Sequence, residues 1–344
     1  MKLRTISGVL IMTVLFSLSL TGENTNLGSA EFVIGDVKVT TADNKNKRVT
    51  KGFEFFGGET VTTARGSMAR IRLKNDSLVK VMPNSIIKLN KVQFNQDKNK
   101  FAFGVMQGGM SSEVNKLGKD DYYRVYTPSA VAGVRGTEFQ VVVGKNGNAK
   151  VTVNEGEIAL EGQESKASLR PGEKAEMSLD SEINKGKSDE GDFEKEYEDF
   201  DKKNQEVKDP VNAVAVSEKS LRLITVRNRQ RVAELRKKKN LSPGEQQELE
   251  FLYQRSVNQG EFWYTLSSKV FNKHRANRLI ASKIKGNFYK VQRHIKTIED
   301  QITDMDNFIE QMSKQIDDFT EDTGSDIDDM SENFINKDKR MKSK

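Results

Sequence analysis

The chain has 344 residues, 35% of them hydrophobic and 31% charged, with a formal net charge of +6. A single core rarely grows past about 250 residues, so two domains are expected, with part of the chain outside any core. So small a net charge gives no ground for a nucleic-acid partner, and the absence of cysteine excludes disulfides, thiolate metal sites, a cysteine nucleophile and a lipidated cysteine anchor.

The N-terminus reads as an export signal. Lys2 and Arg4 precede the apolar run TISGVLIMTVLFSLSL, and the next charge is Glu23. Residues 1–22 are therefore assigned as a signal peptide, cut after Gly22 or after Ala30. The other reading is an uncleaved anchor, because the uncharged stretch lies near the lower limit for crossing a bilayer. Either way the rest of the chain is placed outside the cytoplasm, in the periplasm or at the cell surface. Without disulfides, such a domain depends on core burial for its stability.

Residues 31–180 read as all-β. In ARIRL (69–73) Ala69, Ile71 and Leu73 share one face while Arg70 and Arg72 share the other. Similar short runs follow as LVKV, SIIKL, KFAFGV, YYRVY, EFQVVV, KVTV and EIAL. Turns are expected at Gly57-Gly58, Gly108-Gly109, Asn146-Gly147, Glu155-Gly156 and Pro171-Gly172. The pattern predicts a β-sandwich or a small β-solenoid. A weak internal echo links VTTARGSMARIRL (61–73) with VYTPSAVAGVRGTEF (125–139), which hints at two related β units.

Residues 181–217 are rich in carboxylates and poor in aliphatics, and are expected to form a solvated acidic linker. A helical region is expected over 218–321. Leu221, Ile224, Val232 and Leu235 form one stripe; Leu249, Leu252, Tyr253 and Val257 form another. Ser242-Pro243-Gly244-Glu245 predicts a capped helix start, and Gly260 is expected to end that helix. Trp263 belongs to the core of this bundle, or else anchors at an interface.

Further on, Ile284, Phe288, Val291, Ile295, Ile298, Ile302, Met305, Ile309, Met312, Ile316 and Phe319 step by four and three without a break. That is a coiled-coil seam, on the order of 50 Å long. It would pair with a second copy, forming a homo-oligomer, or fold back on the two preceding helices. Residues 322–344 read as a charged, disordered tail. Charge is also segregated: residues 219–296 carry 19 Lys/Arg against 5 Asp/Glu, and residues 297–344 carry 6 against 14. Blocks of this kind favour contacts with one another, between molecules or with an anionic partner.

VYTPSAVAGVRGTEFQVVV, then AKVTVNEGEIAL, then LRPGEKAEM, resembles the FecR domain, and GGETVTTARGSMARIRLKNDSLVKVMPNSIIKL is similar to that family's first half. The resemblance covers roughly residues 31–180. It rests on Thr127, Pro128, Gly133, Arg135, Gly136, Thr137, Glu155, Gly156 and Gly172. It implies an extracytoplasmic all-β domain, a jelly-roll-like sandwich; the family's namesakes are membrane regulators that sense iron-siderophore uptake and control a sigma factor. Those regulators carry a cytoplasmic anti-sigma segment ahead of the span. Here only four residues precede the apolar stretch, so that segment is not expected.

The chemistry of the Arg135 motif has two readings. Gly133 and Gly136 can bracket a corner in which the Arg135 fork satisfies loop carbonyls or pairs with Glu138 or Glu155. Alternatively, the fork and nearby N–H groups hold an anion. An enzyme is not expected: His274 and His294 lie in the helical half, and carboxylates such as Asp36, Glu59, Glu155 and Glu157 fit ordinary turn chemistry. No cofactor and no metal are expected. The basic residues Arg227, Arg229, Arg231 and RKKKN (236–240) point to a solvated face, or to peripheral contact with anionic lipid or cell-wall polymer, rather than to nucleic acid.

Three functions follow. The first is an exported, non-enzymatic FecR-domain binding or scaffold protein, recognising an envelope protein or a cell-wall component. The second is an envelope signal sensor related to iron-uptake sigma-factor regulation. The third is a carbohydrate-active enzyme.

Overall fold

The computed structural model describes residues 26–90, 99–118, 121–162, 165–179, 183–188, 197–200, 210–238 and 241–273. All of these lie in one compact unit, Met1–Ile298. The predicted signal peptide, the heptad seam, both histidines and the tail fall outside the described residues.

Strands β1 (Asn26–Ile34), β2 (Val37–Thr40), β3 (Asn46–Arg48) and β4 (Glu54–Phe56) open the fold. Then come β5 (Thr60–Thr63), β6 (Met68–Leu73), β7 (Leu78–Val81), β8 (Ile86–Leu89) and β9 (Lys100–Glu113). The second half holds β10 (Tyr122–Tyr126), β11 (Val131–Val134), β12 (Glu138–Val143), β13 (Ala149–Glu155) and β14 (Ile158–Glu161). It closes with β15 (Lys166–Leu169), β16 (Glu173–Met177) and β17 (Asn184–Lys187). Two long helices follow, α1 (Pro210–Leu235) and α2 (Pro243–Lys273).

The strands join in two strings that share β9. One runs β4–β1–β6–β7–β9–β12–β13–β16–β17. The other runs β3–β2–β5–β8–β9–β10–β11–β14–β15. Every pairing is antiparallel except β9–β10, so the whole is one mixed sheet. Residues 100–107 of β9 serve the second string and residues 108–113 the first. The Gly108-Gly109 pair, predicted as a turn, lies instead inside this through-going strand. Gly108 has φ +81°, and a Cβ there would lie 2.3 Å from Ser85 Oγ. Glycine is required because the strand bends against a neighbouring corner rather than reversing.

The alternation read from sequence sorts the side chains. Ala69, Ile71 and Leu73 are buried while Arg70 and Arg72 are exposed. Apolar side chains from both strings merge into one cluster around Phe55, Phe103, Tyr123 and Phe139. Each fully buried aliphatic or aromatic side chain contributes about 1.5–3 kcal/mol.

Three boundaries differ from expectation. Strand β1 begins at Asn26, ahead of residue 31. The stretch expected as a solvated linker contains β17, which pairs with β16, and the first turns of α1. Gly260 does not end its helix: α2 runs on to Lys273. A mid-helix glycine costs only about 1 kcal/mol, and burial of Phe262, Trp263, Leu266 and Val270 beyond it outweighs that. The predicted helix start is present as a capping box. Glu245 Oε2 accepts from Ser242 N at 3.0 Å, and Glu245 N donates to Ser242 Oγ at 3.4 Å.

The helices form an antiparallel hairpin. Asn228 Nδ2 donates to Leu252 O and Ser256 Oγ, both at 2.9 Å, and Arg231 grips Glu248 through two bonds of 2.7 and 2.8 Å. Helix α2 lies on the outer face of the second string. Asn258 abuts Gly104, Phe262 abuts Gly147, and Lys88 pairs with Glu261. Trp263 is fully buried.

Candidate functional site

The Arg135 stretch forms a corner, and the fold builds that corner twice. Gly136 has φ +64° and is followed by buried Thr137, whose Oγ1 donates to Glu157 O at 3.2 Å. Gly156, φ +82°, presses against it: a Cβ there would lie 2.5 Å from Gly136 O and 2.8 Å from Thr137 Oγ1. At the other corner Gly66, φ +66°, precedes buried Ser67, whose Oγ accepts from Asp36 N at 2.9 Å. Gly35, φ +73°, faces Ser67 with the same closeness.

Arg65-Gly66-Ser67 therefore matches Arg135-Gly136-Thr137, and Gly35-Asp36 matches Gly156-Glu157. Pairings agree as well: β5–β2 and β6–β1 repeat as β11–β14 and β12–β13. The internal echo is real, with its register set by the Arg-Gly pair.

Arg135 does not fill the corner. Its side chain is exposed, as is that of Arg65, and it makes no hydrogen bond or ion pair with another described residue. The hydroxyl after the glycine satisfies the corner, so the expectation of a carbonyl-binding fork is corrected. Thr127 and Pro128 form the β10–β11 turn, where Thr127 Oγ1 donates to Ala130 O at 2.8 Å. Gly172, φ +77°, turns the chain into β16. Glu155 is exposed at the end of β13. Of the four carboxylates singled out, Asp36 pairs with Lys38, Glu59 is buried and accepts from Phe56 N at 2.9 Å, and Glu157 accepts from Ser168. Among the described residues no group of His, Asp and Glu could hold a metal ion.

A second feature is the polar contact between β10 and α2. Tyr123 and Val125 of YYRVY face the core, which leaves Tyr122, Arg124 and Tyr126 on the outer face. Both outer tyrosines are buried there, because α2 covers them. The Arg124 guanidinium stacks 4.3 Å from the Tyr122 ring and 5.3 Å from the Phe251 ring. Arg255, 8% exposed, bonds Glu161 at 2.9 Å and Gly162 O at 2.7 Å. Burial pulls the Arg255 pKa down and Glu161 opposes this. Burial likewise pushes the Tyr122 hydroxyl far up, helped by the nearby Glu250 carboxylate.

Beside this contact lies an open groove of about 640 Å³. Its floor is the cross-strand row Gly133, Ala159 and Ser168; its rim carries Arg124, Glu161, Lys166 and Glu248. Glu161 and Glu248 are engaged by Arg255 and Arg231, so the groove offers shape and paired charge, suited to binding. Sequence reasoning brought only Gly133 of this set into view. The signal was available: two tyrosines on the outward positions of β10 give that face too much apolar area for water.

A comparison with protein families assigns the β region. Residues 59–159 match the FecR protein family. The match runs from the edge of β5 into β14 and so contains the Arg135 corner. A candidate anti-sigma factor from Parabacteroides distasonis ATCC 8503, solved at 2.50 Å and at 1.65 Å, is 18% identical, with a TM-score of 0.34. That likeness covers 38% of this chain and 60% of the other. A cell surface anchoring domain is 24% identical over 18% of this chain and 83% of its own, with a TM-score of 0.18. No curated protein matches the chain. Among the described residues, no helix is long and apolar enough to cross a membrane.

Proposed function

We propose that this protein is an exported regulator of the cell envelope that acts by binding. Its FecR-type β region, read as a jelly-roll-like sandwich, recognises an envelope protein or a cell-wall component, and the helical hairpin docked on that region passes the event on. The observation that carries this reading is the FecR match over residues 59–159. The buried contact of Tyr122, Arg124 and Tyr126 with α2 adds to it, because a partner touching the β region can bear on the helices through that contact. No cofactor and no turnover are part of the proposal.

The test is a deletion strain complemented with wild type or with Arg124→Glu. An envelope transcript response that is lost on deletion and restored by wild type alone supports regulation. Unchanged transcripts overturn it. The scaffold reading is favoured by the 3.5-residue seam from Ile284 to Phe319. It is supported if unchanged transcripts accompany an oligomeric mass in sedimentation.

Export carries its own prediction. Residues 26–30 pair with β4 and β6, so a cut after Ala30 would remove the start of β1. N-terminal sequencing of the mature form is expected to begin at Glu23. A start at Glu31 contradicts this, and an intact Met1 leaves the anchored-sensor form.

A further inference from the structure

Helix α1 carries two stripes at alternating steps of about three and four. Val214, Leu221, Ile224, Val232 and Leu235 form the first, which is buried. The second is Lys219, Leu223, Val226, Gln230 and Ala233, and every member is exposed. Leu223 is 40% and Val226 58% exposed, among the few large hydrophobic side chains left open in the described residues. A surface helix needs one apolar stripe; Leu223, Val226 and Ala233, on a second line that Lys219 and Gln230 share, add exposed apolar area that a neighbour on the other side would cover. Helix α2 fills one side, and no described residue covers the other.

Charge defines the absent neighbour. Arg222 and Arg229 stand exposed along one flank of the open stripe, one heptad apart. Glu234 is the one carboxylate between Lys219 and Lys238, and it pairs with Arg231. A basic neighbour would be repelled and an acidic one drawn in. A bilayer gains little from two aliphatic side chains.

We propose that the Leu223–Val226 stripe of α1 is the docking face for an acidic helix, one whose own apolar 3.5-residue repeat is flanked by carboxylates.

The chain has no cysteine, so Val226→Cys introduces a unique thiol into the full-length protein. In intact host cells its labelling by a polar maleimide is compared with that of Thr62→Cys, a position exposed on β5. The expected result is labelling about tenfold slower at 226, the equivalent of a modest binding equilibrium. A photo-cross-linker attached at 226 is expected to capture a peptide with carboxylates around an apolar 3.5-residue repeat, its mass identifying the polypeptide that supplies it. Adding Arg222→Glu and Arg229→Glu should restore fast labelling and abolish the adduct. Equal labelling at 62 and 226, a lipid adduct, or a captured peptide without that pattern each overturns the proposal. Trp263 fluorescence confirms that each variant is folded.

Discussion

Replacing Arg135 by alanine removes an exposed side chain, while replacing the glycine beside it forces a backbone change. Surface substitutions away from caps, cores and networks stay within about 0.5 kcal/mol, so Arg135→Ala should leave urea unfolding nearly unchanged. Gly136→Ala places a Cβ at φ +64° and should cost about 1–2 kcal/mol. Gly156→Ala adds a close approach to Gly136 O and Thr137 Oγ1, raising the loss to roughly 2–4 kcal/mol. A large loss at Arg135 would return that side chain to the corner. Glu59 offers a pH test. Burial raises its pKa above the ordinary glutamate value, so the folded state holds the proton more tightly than the unfolded state. The stability this gives is present in acid and is lost as pH rises through the folded pKa. Glu59→Gln keeps the acceptor for Phe56 N and removes the charge. It should therefore be more stable than the parent at neutral pH, and the gap should close in acid.

At the level of elements, Gly260 sits mid-helix with nothing within 4 Å of a Cβ built on it. Gly260→Ala should therefore raise stability by about 0.5–1 kcal/mol, read as a higher urea midpoint. Ser242→Ala, which removes one half of the capping box, should lower stability by about 1 kcal/mol. The contrast shows what a sequence can reveal. Ser242 and Glu245 announce a helix start because cap chemistry is local, and Ala69, Ile71 and Leu73 announce a strand because alternation is local. Gly260 misleads because the burial that carries the helix past it comes from Met106, Leu179 and Val214, distant in the chain. Gly108 misleads in the same way: it bends a strand only because Ser85 stands beside it. The Arg-Gly corners were legible as motifs, yet the contact between β10 and α2 was not. Arg124 meets Phe251 only after α2 crosses the sheet.

For the molecule as a whole, the question is whether the β region and the helical hairpin are one folding unit. Phe262 lies in a cluster with Met106 of β9, Leu179 beyond β16, Val214 of α1, and Leu266 and Val270 of α2. Gly147 is closed on by the Phe262 ring, and Gly104 by the Asn258 carboxamide, so α2 seats where the sheet offers no side chain of its own. Removing the ring leaves a void shared by both parts, and Phe262→Ala should cost about 3–5 kcal/mol. Trp263, the one tryptophan in the chain, is fully buried in α2 and reports the helix, while far-UV circular dichroism reports strands and helices together. The two signals should share one urea midpoint in the parent and move together in Phe262→Ala. A tryptophan transition that separates from the far-UV transition would mean that the hairpin leaves the sheet first. A chain ending at Ser188 carries the argument one step further. It leaves Ala102, Tyr122, Tyr126 and Val131, one contiguous patch under Phe251, open to water. Patches of that kind on a soluble domain mark an interface or an aggregation liability. The shortened chain should therefore bind more of a hydrophobic dye than the full chain and form larger assemblies than it does. If it does neither, the sheet does not need its helices, and the contact between Arg124 and Phe251 loses its standing as the route by which binding at one part reaches the other.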